Sequence, residues 1–147
     1  MSRAEIMDWV PGSHASTFGG NPVSIAAALA TMDIIEREAM GNAARVGGFI
    51  LERVRGWKQS HPLVGDVRGR GLLMGLEFTA SAGKDAAVIS DAVTDAALEL
   101  GLSANIVRAG ASGGTMRIAP PLTVSDAEID LGVELLDAAI ARVMPAA

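Results

Sequence analysis

The sequence predicts an α/β protein in which a small, largely antiparallel sheet is packed with helices. Segments with helical spacing of apolar residues alternate with short segments of alternating pattern, and glycine or proline marks most of the junctions. Half of the 147 residues are apolar and a fifth are charged, enough to bury a real core. With only three Phe, two Trp and no Tyr, that core must be built from aliphatic side chains.

Taken in order, residues 4–9 form a short mixed segment ended by the turn pair Pro11-Gly12. The stretch Ser16-Thr17-Phe18-Gly19-Gly20-Asn21-Pro22 reads as a glycine-rich loop opening a helix, with Asn21 as its cap and Pro22 at the first helical position. That helix, over residues 22–38, is apolar around most of its circumference (Val23, Ile25, Leu29, Met32, Ile34, Ile35). Such a helix is expected to be buried on more than one side, which calls for a partner surface.

A second helix over residues 41–59 places Val46, Phe49, Ile50, Val54 and Trp57 at helical spacing, with Glu52, Arg53 and Lys58 on the wetter side. His61-Pro62 breaks it, and His61 is expected to be exposed. Residues 64–71 and 72–78 read as two short strands joined through glycines, the second with Leu72, Met74, Leu76 and Phe78 on one face. A third helix spans residues 85–100 and ends at Gly101. Short strands are expected at 102–107 and 115–119, separated by the loop 108–114. Ser125-Asp126-Ala127-Glu128 has the form of a capping box for the last helix, which carries Ile129, Val133, Leu136, Ile140 and Val143.

Composition excludes several function classes. A net charge of −5 argues against a nucleic-acid or membrane-surface binder, which would need a basic face. The longest apolar run is too short and too interrupted to span a bilayer, so no membrane partner is expected. The absence of cysteine removes disulfides and thiolate chemistry and favours a cytoplasmic protein. Two histidines without ligand spacing make a metal site improbable.

Two features are chemically suggestive. The Ser16–Pro22 loop offers hydroxyls and backbone N–H groups beside the positive end of a helix, a possible anion site, although capping alone also accounts for these residue types. Arg117 sits mid-strand between Met116 and Ile118 and is read as buried, where its planar fork would pair with a ligand carboxylate or with an internal acid. Arg68 and Arg70 are read as solvated or salt-bridged.

His14–Pro22, Asp66–Gly71 and Met116–Leu122 resemble, in order and spacing, successive signatures of the class III aminotransferases. That is the ω-aminotransferase group, which includes 4-aminobutyrate, acetylornithine and ornithine aminotransferases. The resemblance covers nearly the whole chain. It implies part of a fold-type-I, pyridoxal-phosphate-dependent transferase that works as a homo-oligomer: residues 1–38 end a large domain, and residues 39–147 form the C-terminal small domain. It implies that Thr17, with Ser16, contacts the phosphate of pyridoxal 5′-phosphate held in a neighbouring subunit. It implies equally that Arg117 clamps the carboxylate of an amino acid or 2-oxo acid substrate. The family's cofactor-bonding lysine has no match, since Lys58 and Lys84 lie in unrelated settings. No catalytic residue is therefore assigned, and the chain alone is expected to be inactive. From other classes, a non-catalytic scaffold derived from this fold, or a small anion-binding module, remain as alternatives.

Overall fold

The computed structural model describes residues 4–10, 12–107 and 114–144. Pro11, most of the loop predicted at 108–114 and the polar N-terminal residues 1–3 lie outside the described residues. The chain divides into two compact units, Met1–Glu36 and Arg37–Ala147.

The first unit holds a single 3-10 turn at Ala4–Ile6, then the loop, then helix α1 at Pro22–Ile34. Asn21 caps α1 in extended conformation, its Oδ1 accepting from the N–H groups of Val23 (3.0 Å) and Ser24 (3.1 Å). Pro22 follows at the first position, where a missing N–H costs nothing. No residue of α1 is buried, although Val23, Leu29 and Met32 are among its side chains. The expected partner surface is not supplied within this unit. A π-helical turn, Ile35–Ala39, contains the boundary between the units.

The second unit begins with α2 at Met40–Arg55 and the short α3 at Trp57–Ser60. The helix expected over 41–59 is thus divided at Gly56. Four strands follow: β1 (Val64–Arg70), β2 (Leu73–Phe78), β3 (Asn105–Val107) and β4 (Thr115–Ile118). Helix α4 spans Ala86–Glu99 and α5 spans Asp126–Val143. The sheet order is β1-β2-β4-β3 with every pairing antiparallel, where the sequence predicts a largely antiparallel sheet. β1 and β2 meet in a two-residue turn where Gly71 takes φ +56°, a first central position that favours glycine.

One face of the sheet is sealed. Met74, Leu76 and Phe78 of β2 and Met116 of β4 are almost fully buried. They join Val46, Ile50 and Val54 of α2 with Ile89, Val93 and Ala97 of α4. α2 and α4 lie against the sheet, and α5 packs on both, adding Ile129, Leu136 and Ile140. Gly101 at φ +92° closes α4, with Leu102 N–H donating to Ala97 O at 2.8 Å. The capping box of α5 is formed: Glu128 Oε2 accepts from Ser125 N (2.8 Å) and from Ser125 Oγ (2.6 Å). These bonds to the charged form hold the Glu128 carboxyl below its ordinary value.

His61 corrects an expectation. It is buried, 7% exposed, because the turn after α3 folds it beneath α5. Its Nε2 lies 2.7 Å from Asp137 Oδ1, and its ring meets Trp57 edge-on at 5.8 Å.

The tightest approach is between α2 and the β1–β2 turn. A Cβ on Gly47 would come within 2.1 Å of the Gly71 carbonyl oxygen, whereas one on Gly48 would meet nothing. Gly47→Ala is therefore expected to destabilise the fold by about 2–3 kcal/mol or more, and Gly48→Ala to stabilise it by about 0.5–1 kcal/mol. Urea denaturation of both variants checks the opposite signs.

Candidate functional site

In the first unit the loop folds as two consecutive tight turns, with Gly19 N–H donating to Ser16 O (3.2 Å) and Asn21 N–H to Phe18 O (3.2 Å). Gly20, inside the second turn, takes φ +79°. Ser16, Thr17 and Phe18 are all exposed. Among the described residues, neither the hydroxyls of Ser16 and Thr17 nor the N–H groups of Thr17 and Phe18 have a protein partner. Trp9 and His14 stack loosely nearby, ring centroids 5.4 Å apart.

This arrangement revises how the loop would take an anion. The helix-end amides are already spent, because Asn21 Oδ1 occupies those of Val23 and Ser24 and Asn21 O accepts from Ile25. The free donors belong to the turn before the helix. Two hydroxyls and two amides remain, a donor set suited to phosphate oxygens.

Arg117 lies in the second unit, on β4, so the sequence-derived site residues fall in separate units. It is exposed rather than buried. The cause is register: Met116 takes the core side of β4, and strict alternation sends Arg117 to the opposite face. Across the sheet the pairing places Arg68, Gly75, Arg117 and Asn105 in one row, one residue from each strand.

The two arginines of that row differ. Arg68 Nη1 donates to Asp66 Oδ2 at 2.8 Å and to Glu77 Oε2 at 2.6 Å. That hydrogen bond holds the Asp66 carboxyl below its ordinary value, and the two acids together raise the Arg68 guanidinium. Arg117 has no hydrogen-bonded or ion-paired partner among the described residues. Glu77 sits two pairs along the β2–β4 ladder from Arg117, on the same face, but its carboxylate is engaged by Arg68. An unpaired guanidinium fork on a rigid strand is a ready binding group for a carboxylate.

A cleft of about 440 Å³, bordered by β3 and β4, opens on the side of the sheet that Met116 faces. Its walls are largely apolar, with Ile50 and Val54 from α2 and Ile129 and Leu136 from α5. The two lysines, Lys58 on α3 and Lys84 in a tight turn with Ser81, are exposed and belong to neither site. Asn105 went unnoticed in the sequence, because only the β3–β4 register reveals it as the neighbour of Arg117.

The family described as Aminotransferase class-III matches residues 1–140. The chain belongs to the class III aminotransferase family. An acetylornithine aminotransferase from Methanothermobacter thermautotrophicus is 39% identical over 88% of this chain. An alanine/serine racemase from Pyrococcus horikoshii is 38% identical over 95% of it. The chain spans only 30% and 29% of those two relatives' lengths. Among solved structures, an amine transaminase from an uncultivated Pseudomonas species, described in a PLP-bound form, superposes with TM-score 0.76 at 34% identity. That match covers 91% of this chain and 30% of the other. The mixed helices and four-stranded antiparallel sheet are thus those of the fold-type-I transaminases, the fold class that the sequence predicts.

Replacing Arg68 tests the row directly. The Asp66 carboxylate is stabilised in the folded state, so its contribution is present above the ordinary value near 3.8 and is lost as pH falls through the lower folded value. In Arg68→Met, the Asp66 titration midpoint is expected to move upward, and the difference in stability between variant and parent to vanish in acid. Carbon-detected NMR titration of the side-chain carboxyls reads the first, and thermal melts below and above pH 4 read the second.

Proposed function

We propose that this chain is the C-terminal part of a pyridoxal-phosphate-dependent aminotransferase that moves an amino group from an amino acid to a 2-oxo acid. The observation that carries this reading is the exposed Arg117, which has no hydrogen-bonded or ion-paired partner among the described residues, on a sheet whose other arginine of the same row donates to two acids. In it, Arg117 holds the carboxylate of the amino acid or oxo acid and orients its Cα. Ser16 and Thr17 supply hydroxyls, with the Thr17 and Phe18 amides, to the cofactor's phosphate, contributed to a neighbouring subunit of a homo-oligomer. When bound, pyridoxal phosphate supplies the electron sink that lets a bond at the substrate Cα break.

The free donors of the Ser16–Gly19 turn fit a phosphate, but Lys58 and Lys84 do not fit the covalent attachment of this cofactor. Both are exposed, and neither lines the 440 Å³ cleft. We infer that the cofactor-bonding lysine comes from polypeptide beyond these 147 residues, in keeping with relatives about three times as long. The exposed apolar side of α1 supports the same view, because a patch with Val23, Ile25, Leu29 and Met32 is the kind that another protein surface covers. No described helix is long and apolar enough to cross a membrane, which is compatible with a cytoplasmic site of action.

A second reading has a specific support. The 38%-identical relative from Pyrococcus horikoshii is an alanine/serine racemase, and racemisation needs the same carboxylate clamp without an oxo-acid acceptor.

Titration of this chain with pyridoxal phosphate, followed by borohydride reduction and mass spectrometry, is expected to give no stoichiometric adduct at Lys58 or Lys84. A single stoichiometric adduct with turnover would overturn the inference about the lysine. In the protein carrying the complementary part, Arg117→Ala is expected to raise KM for both amino acid and oxo acid by roughly 10²-fold, the loss of a charge-assisted bidentate contact. Incubation with one enantiomer of alanine, with and without an oxo acid, separates transamination from racemisation.

A further inference from the structure

We propose that Asn105 is the second arm of the carboxylate site at Arg117, and so a substrate-positioning residue. This rests on the reading of Arg117 as the carboxylate-binding residue. Asn105 pairs directly with Arg117 in the β3–β4 register, and directly opposed residues on one face have Cβ atoms about 4.5–5.5 Å apart. Both side chains are exposed. On its other flank Arg117 faces Gly75, which leaves space where a side chain would stand. A Cβ there would touch only the Thr115 methyl (3.5 Å) and the Arg68 Cγ (3.9 Å).

The chemistry of the pair is complementary. A guanidinium has five donors and no acceptor, whereas the amide of Asn105 offers one acceptor and two donors. Oδ1 of Asn105 can accept from Arg117, which turns Nδ2 toward an anion bound on the fork. Each ligand oxygen then has its own donor. An acid at this position would act in the opposite sense, occupying the fork as Asp66 and Glu77 occupy that of Arg68. The row therefore contains both outcomes: one arginine closed by carboxylates, and one kept open beside an amide.

The test is a titration of the isotope-labelled chain with sodium acetate at constant ionic strength, with acetamide as neutral control. The side-chain resonances of Arg117 Nε–H and Asn105 Nδ2–H2 are expected to shift together along one binding curve, and acetamide to leave both unmoved. Asn105→Ala is expected to weaken acetate binding about 3–10-fold, and Asn105→Asp to weaken it more than 10-fold at neutral pH with recovery in acid. Asn105→Thr, which suits a strand, controls for damage to β3 and should behave as Asn105→Ala with unchanged melting. Acetate binding that moves Arg117 alone and is indifferent to Asn105→Ala would overturn the proposal. Failure of acetate to move either resonance would do so too. Because the titration reads carboxylate binding by this chain without cofactor or turnover, it stands apart from an absence of aminotransferase activity in the assembled protein.

Discussion

Side-chain alternation across the four-stranded sheet is the constraint on which the second unit depends. Met74, Leu76, Phe78 and Met116 must all reach the side covered by α2 and α4, because there the core is closed. Once those positions are assigned, the opposite face is fixed as well, since a slip of one residue would exchange every buried group for an exposed one. Arg68, Gly75, Arg117 and Asn105 therefore come into line as a consequence of packing on the other side of the same strands. Core and candidate site are two faces of one register.

Electrostatics on that outer face follows from which acids are within reach. Arg68 gathers both Asp66 and Glu77, so the acids of β1 and β2 are spent on one cation. Arg117, two strands from Arg68, keeps its donors. The cost of holding an unpaired guanidinium is small here, because the side chain stays in water. Buried, as first read from the sequence, the same group would have needed a permanent partner and would have been closed to a ligand.

The first unit solves a different problem. Asn21 and Pro22 satisfy or remove the orphan amides at the start of α1, which stabilises the helix but takes those amides out of play for an anion. Binding capacity moves to the hydroxyls and amides of the preceding turn. α1 itself is held by its cap and its backbone rather than by burial of its apolar side chains. The chain spans less than a third of the length of the relatives it matches.

Periodicity and punctuation in the sequence determined the helices at 86–99 and 126–143, the antiparallel strand pair, the glycine closure at Gly101 and the capping box at Ser125, because each depends on residues close in the chain. Three local motifs also determined the family, since their spacing survives without reference to the rest of the molecule. The exposure of Arg117, its pairing with Asn105, the capture of Glu77 by Arg68 and the burial of His61 against Asp137 were decided only by the tertiary structure. Each of these joins residues from different elements. Residues 12, 9 and 76 positions apart become neighbours through strand register and helix packing, and no local pattern encodes which partner a side chain will meet there.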